Sequence, residues 1–325
     1  MKKLGFILCI STIIVFFTSC YENKSTRTDT MTSGIAEIVV DECMAPIIDE
    51  QINVFEALYP NATIIPTYTN EYDAYQMLVN DSMRLIIGAR ELTPGEEAKI
   101  KAREQRVLTH KIAVDGVAII VNPQNKLSYL STADLKKVFT GQATNWKDIH
   151  PGSKLGNISV VFDSPNSSTV RFIQDSICRK DPLGSNVKAI SKDTATININ
   201  EKTPNQRVLD YVSSTPNAMG VIGVNWISNP TDTTSLSFIN GIKVLAVSKD
   251  EVATPDNSYQ PYPYQFALNQ YPLQRDIYII ITDPSGGLPS GFVNFVTKEK
   301  GQRIILKAGL LPATQLTRLV RITTD

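Results

Sequence analysis

The stretch "RVLTHKIAVDGVAIIVNP", Arg106 to Pro123, holds two apolar runs with Asp115-Gly116 between them and closes on Asn122-Pro123. Short runs rich in Val and Ile and bounded by turn residues read as buried strands. Upstream, "IAEIVV" is a strand, Pro46 opens a helix with Ile48, Ile52, Phe55 and Leu58 on one face, and Tyr59-Pro60 stops it. A strand "ATIIP", a helix over Glu71 to Val79 and a strand "MRLIIGA" follow. Two βαβ units in a row predict a parallel sheet covered by helices. Thr93-Pro94-Gly95-Glu96 is a capping box that starts a highly charged helix running to about Gln105.

Downstream of Pro123 a second α/β set begins. Ser131-Thr132 cap a helix ending at Gly141, Trp146 falls in a loop, and Asn157 to Phe162 form a strand. Thr203-Pro204 start a helix through Val212, and "AMGVIGVNW" and "GIKVLAV" read as strands. Ser248 to Gln274 is turn-rich and crowded with Tyr and Pro, so Tyr259, Tyr262, Tyr264 and Tyr271 read as packing and loop residues. A buried strand "RDIYIIIT" and helical stretches over Phe292 to Lys300 and Gln302 to Lys307 come last. The expected fold is therefore α/β with two lobes, one built from both ends of the chain, and a ligand cleft between them.

The first residues, "MKKLGFILCISTIIVFFTSC", place two lysines before an apolar run from Leu4 to Phe17 that is too short for a comfortable membrane span. This is a signal peptide, residues 1–19, and Phe17-Thr18-Ser19-Cys20 resembles a bacterial lipoprotein cleavage box in which Cys20 becomes the lipidated first residue. Residues 20–33 are polar and read as a disordered tether. With 32 basic and 32 acidic residues the formal charge is zero, so no nucleic-acid partner is indicated. Cys43 and Cys178 are expected to be free thiols.

The turn "DSPNSST", Asp163 to Thr169, joins a strand to a helix. Ser167, Ser168 and Thr169 are either a plain helix cap or hydroxyls that hold an anion at a helix start. Arg171, in the first turn of that helix, opposes the helix dipole unless it pairs with Asp175 or meets an anion. Arg90 ends an apolar strand at the crevice side of a parallel sheet. Asp163 is a ligand contact or a partner for Arg90 or Arg171. Of the two histidines, His110 and His150, neither adjoins a Ser or Cys motif of the nucleophile type, no cluster has metal-ligand spacing, and no Gly-rich phosphate loop occurs. No enzymatic activity, metal or cofactor is therefore expected.

"VVDECMAPIIDEQINVFEALYP", "LIIGARELTPGE", "KIAVDGVAIIVNP", "LSTADLKKVFTGQATNWKDI", "SSTVRF", "NAMGVIGVNW", "YPLQRDIYIII" and "GFVNFVTKEKGQRIILKAGLLP" occur in this order and spacing. Together they resemble the phosphate-binding substrate-binding proteins of ABC transporters, in the type II periplasmic binding-protein superfamily. The resemblance implies two lobes, each a central mixed sheet flanked by helices, with lobe 1 formed by 34–117 and 276–325 and lobe 2 by 118–275. It implies two crossing strands, near Ala113 to Val121 and Asp276 to Ile281, and closure on an oxyanion, phosphate first, held without a metal. The family's first-loop Thr-Phe falls near Glu42-Cys43, its second-loop serine near Asn70, and its Ser-Gly-Thr on Ser167-Ser168-Thr169. Its arginine falls on Asp163 and its aspartate on or beside Arg90, so the charge pair is reversed here. Asp41 and Glu42 add carboxylates that repel a dianion unless protonated or paired. The implied partner is an ABC permease, and the implied state is a lipid-anchored monomer in the cell envelope. A divergent lipoprotein acting as sensor or interaction partner is the alternative.

Overall fold

The computed structural model describes residues 28–191, 202–229, 237–282 and 286–314. The signal peptide and Cys20 lie outside the described residues. In chain order the first elements are β1 (Gly34–Asp41), a 3-10 turn (Glu42–Met44), α1 (Ala45–Leu58), β2 (Ala62–Thr69), α2 (Glu71–Val79), β3 (Leu85–Gly88), α3 (Pro94–Lys101) and β4 (Leu108–Val121). Then come β5 (Tyr129–Ser131), α4 (Thr132–Phe139), α5 (Trp146–Ile149), β6 (Ser159–Phe162), α6 (Ser168–Ile173) widening into a π-type turn (Gln174–Cys178), β7 (Val187–Ala189), α7 (Pro204–Ser214), β8 (Ala218–Gly223) and a second 3-10 turn (Val224–Trp226). The last are β9 (Lys243–Val244), β10 (Ala246–Ser248), β11 (Ser258–Tyr259), α8 (Pro263–Ala267), β12 (Gln274–Ile281), α9 (Leu288–Thr297), α10 (Glu299–Lys307) and β13 (Leu311–Pro312).

Ten strands form one sheet, eight of them along the path β2-β1-β3-β12-β4-β8-β6-β7 with β9 and β13 also on β4, and β11-β10-β5 form a separate small sheet. β1 pairs in parallel with β2 and β3, and β6 with β7 and β8, while β12 runs antiparallel to β3 and β4. The two apolar runs of the Arg106–Pro123 stretch are a single strand, β4. Ile112 and Ala113 of β4 pack into a core with Ile38, Phe55 and Ile279, whereas Val117 to Val121 pack into another with Trp146, Val160 and Ile222. Likewise Ile277 of β12 joins the first core and Leu273, just before it, the second. Both strands change lobes at one level, where Asp115 stands opposite Arg275. Gly116 is required there, since a Cβ would come within 2.6 Å of the Phe266 ring of α8.

In lobe 1 the sheet is covered on both faces, which is why its strands read as continuous apolar runs. Ile38 and Val40 face α1 and α9, and Val39 faces Ala74, Tyr75 and Leu78 of α2. The C-terminal helix α9 docks onto the N-terminal helix α1 through edge-to-face packing of Phe55 with Phe292 and Phe295, centroids 5.4 Å apart.

Four expectations need correction. Trp146 is not in a loop: it opens α5 behind an Asn145 cap, is fully buried, and donates its Nε1–H to Asn217 O at 3.0 Å. The "GIKVLAV" strand is two strands in two sheets, β9 on β4 and β10 on β5. The charged helix stops at Lys101 rather than near Gln105. The end of the expected tether is docked, because Asp29 Oδ2 accepts from Leu288 N at 2.6 Å and so caps α9 from outside. Gly291 admits this contact, since any Cβ there would collide with Met31 O. Cys43 and Cys178 are both buried and free.

Candidate ligand site between the lobes

β1 leads straight into the 3-10 turn of Glu42–Met44, and Asp41 caps that turn by accepting from Cys43 N at 3.1 Å. Glu42 and Cys43 are thereby presented, buried, at a helix start of lobe 1. Lobe 2 answers with three helix starts or turns. At the first, Ser167 caps α6, accepting from Val170 N at 3.3 Å and donating to Asp163 Oδ1 at 2.5 Å. Cys43 Sγ donates to Asp163 Oδ2 at 3.0 Å and lies 3.1 Å from Thr169 Oγ1. At the second, the start of α7, Asn205 Nδ2 donates to Glu42 Oε2 and lies 3.9 Å from Cys43 Sγ. At the third, the turn after β8, Asn225 Nδ2 and Trp226 Nε1 both donate to Cys43 O, at 3.0 and 2.9 Å.

Beneath this cluster Arg275 bonds Asp115 Oδ2 through Nε at 3.1 Å and Nη2 at 3.0 Å, and its Nη1 donates to Ser168 Oγ at 2.9 Å. Burial disfavours the guanidinium, but Asp115 and its hydrogen bonds outweigh that and hold Arg275 charged. A second group forms around Glu71, which takes a two-pronged contact from Arg171 of the other lobe, Nη2 to Oε1 at 3.0 Å. Arg171 also donates to Ala89 O at 3.1 Å and approaches Asp175 at 3.5 Å. Arg90 lies 4.0 Å from Glu71, forks onto Glu96 at 2.7 and 2.9 Å, and covers the Tyr75 ring at 3.6 Å.

Burial, then Glu71, pushes the Asp41 carboxyl up to about 7, against Arg275, the Ser168 hydroxyl and the Cys43 N–H. Burial, then Asp163, pushes Glu42 up to about 8, against hydrogen bonds from Thr203 and Asn205. Burial also raises Asp163, and with the neighbouring carboxylates raises the Cys43 thiol. Near neutral pH Glu42 is thus a neutral donor rather than an anion, which changes what the site accepts. Glu42, Cys43 and Asp163 also offer ligand atoms that all lie within 4.8 Å of one another, a set able to hold a metal ion.

Residues 25–300 match the PBP superfamily domain. The chain belongs to that superfamily. Among curated relatives it is 23% identical over 269 residues to the phosphate-binding protein PstS of Borreliella burgdorferi, covering 82% of this chain and 86% of the relative. It is 23% identical over 326 residues to PstS of Bacillus subtilis, covering 97% and 95%. A crystal structure from Clostridium perfringens, of a protein assigned as a phosphate ABC transporter substrate-binding protein with bound phosphate, superposes with a TM-score of 0.68 at 18% identity over 86% of this chain and all of that one. The two-lobed superfamily fold is shared, and function has to be argued from the site.

On this superfamily fold, Glu42, Cys43, Asp163, Ser167, Ser168 and Thr169 meet at the interface between the lobes. Asn70, Arg90 and Arg171 belong to the Glu71 group, where Asn70 caps α2 by accepting from Asp73 N at 2.9 Å. Arg90 and Asp163 do not pair with one another: their partners are Glu96, and Ser167 with Cys43. Sequence reasoning missed Arg275, Glu71, Asn205, Asn225 and Trp226. A signal existed for Arg275 alone, a charged residue at the start of a strand whose remainder, residues 277–281, is an apolar run.

Proposed function

We propose that the protein is an extracytoplasmic solute-binding protein, anchored through a lipidated Cys20, that closes its lobes on an oxyanion, phosphate first, and delivers it to an ABC-type permease. One observation carries the reading. Helix starts from both lobes converge on the same spot as the buried Arg275 guanidinium, which already touches Ser168 at the start of α6. Free N–H groups, hydroxyls and a guanidinium together are the donors an oxyanion needs. The relatives named for phosphate binding support the choice of ligand. Glu42, neutral near pH 7, adds a donor instead of a repulsive charge. No helix among the described residues is long and apolar enough to cross a membrane. Membrane attachment in this reading is assigned to the lipid on Cys20.

Calorimetric titration of refolded, ligand-stripped protein with phosphate, sulfate and small carboxylates tests this. Saturable heat with phosphate is expected, weakened at least tenfold by Ser168→Ala, which removes a hydroxyl bound to Arg275. Silence with every oxyanion ends the transport reading and favours a lipoprotein of the same fold that serves as sensor or interaction partner. That second reading draws on the surplus of carboxylates over guanidiniums at the site.

A further inference from the structure

The interlobe site carries more acid than base. Arg275 pairs with Asp115, Arg171 with Glu71 and Arg90 with Glu96, and no ion pair among the described residues reaches Asp41, Glu42 or Asp163. A second observation is independent of that count. Glu42 Oε1 and Asn205 Oδ1 are buried and have no hydrogen-bond partner, although Asn205 is fully buried with its amide nitrogen against Glu42 and 3.9 Å from Cys43 Sγ. Turning that amide over presents its oxygen to the same spot.

We propose that Glu42, Cys43 and Asp163 bind a thiophilic divalent cation, Zn2+ by chemistry, with the Asn205 amide oxygen as fourth donor. Ligands about 2.0–2.3 Å from a tetrahedral Zn2+ stand roughly 3.3–3.8 Å from each other. Cys43 Sγ and Asp163 Oδ2 stand 3.0 Å apart, and one ligand atom from each of the three side chains lies within 4.8 Å of the others, so small shifts bring the set to that spacing. A sulfur with two carboxylates suits Zn2+, whereas Ca2+ and Mg2+ take oxygen-only sets. On binding, the Cys43 S–H proton and the Glu42 carboxyl proton leave to solvent, and the hydrogen bond from Cys43 to Asp163 is replaced by one metal bond from each residue. The cation offsets the negative charge that loss of those protons leaves on its ligands, and the buried oxygens of Glu42 and Asn205 gain a partner. Arg275 stands nearby as an opposing charge, but its own charge is already matched by Asp115.

The test uses full-length protein freed of metal with a chelator. Cd2+ is titrated while the thiolate-to-metal charge-transfer band is followed, and Zn2+ is titrated by calorimetry. One equivalent is expected, with the band kept in Cys178→Ser and lost in Cys43→Ser. Glu42→Gln and Asp163→Asn preserve shape, so they report even where Cys43→Ser fails to fold. Each should weaken Zn2+ at least about tenfold, the scale seen when a group that merely orients a ligand is lost. Absence of the band in the wild-type protein, or its persistence in Cys43→Ser, overturns the proposal. Phosphate is titrated separately into the metal-free protein. Heat with phosphate and none with Zn2+ overturns the cation site while sparing the oxyanion reading; heat with Zn2+ and none with phosphate supports the cation site and removes the oxyanion.

Discussion

Arg275 sits where both crossing strands change lobes, and its partner Asp115 is fully buried. Removing one member of a buried ion pair strands the other charge at a cost of about 3–5 kcal/mol, whereas neutralising both costs far less. Arg275→Met should therefore lower the free energy of unfolding in urea by about that amount, and Arg275→Met with Asp115→Asn should recover most of it. A double variant as unstable as the single one would show that Arg275 acts through Ser168 instead. Glu42 makes a pH prediction. Its carboxyl titrates near 4.5 when unfolded and is pushed up to about 8 when folded, by burial and then Asp163, so folding takes up a proton between those values. Stability from this group is complete below pH 4.5 and is lost as pH rises through 8. The melting temperature of metal-free, phosphate-free protein should fall over that range, and Glu42→Gln should flatten the decline. Equal slopes in the two proteins would place the proton elsewhere.

The α6 start separates cap from ligand site. Ser167→Ala removes the acceptor for Val170 N and should cost about 1 kcal/mol of stability by thermal or urea unfolding. It should weaken phosphate as well if the hydroxyl serves the solute, and an unchanged affinity would leave Ser167 a cap that also positions Asp163. At this scale much was legible from local signals. Glu71–Val79 keeps the bounds expected for it; Asn70, expected as a ligand position, caps it instead, and the capping box at Thr93 marks the start of α3. Trp146 was not legible, since a four-residue helix is too short to show a period. The break between β9 and β10 was hidden because both halves are apolar and only their partners differ. Asp29 could not be read as a cap because the helix it serves begins 259 residues later.

Closure of the whole molecule rests on contacts that cross the cleft: Arg171 with Glu71, Asn205 with Glu42, and Asn225 and Trp226 with Cys43 O. Arg171→Gln should shift the lobes toward an open form, seen as a larger radius of gyration in small-angle scattering that phosphate reverses; an unchanged radius would mean the Cys43 contacts suffice. Phosphate at a hundredfold excess over Kd should stabilise the protein by about 2.7 kcal/mol, which a rise in melting temperature reports. Flat melting curves would count against solute capture. The strands, helices, caps and the two-lobed order were determined by the sequence itself, because periodicity, turn residues and capping boxes act between neighbours a few positions apart. Which charged and polar groups share the site was decided only by the tertiary structure. Cys43 meets Asp163 across 120 residues, Glu42 meets Asn205 across 163, and Arg275 meets Ser168 across 107. Those pairings depend on how one lobe packs against the other, and no signal confined to one strand or helix turn encodes that.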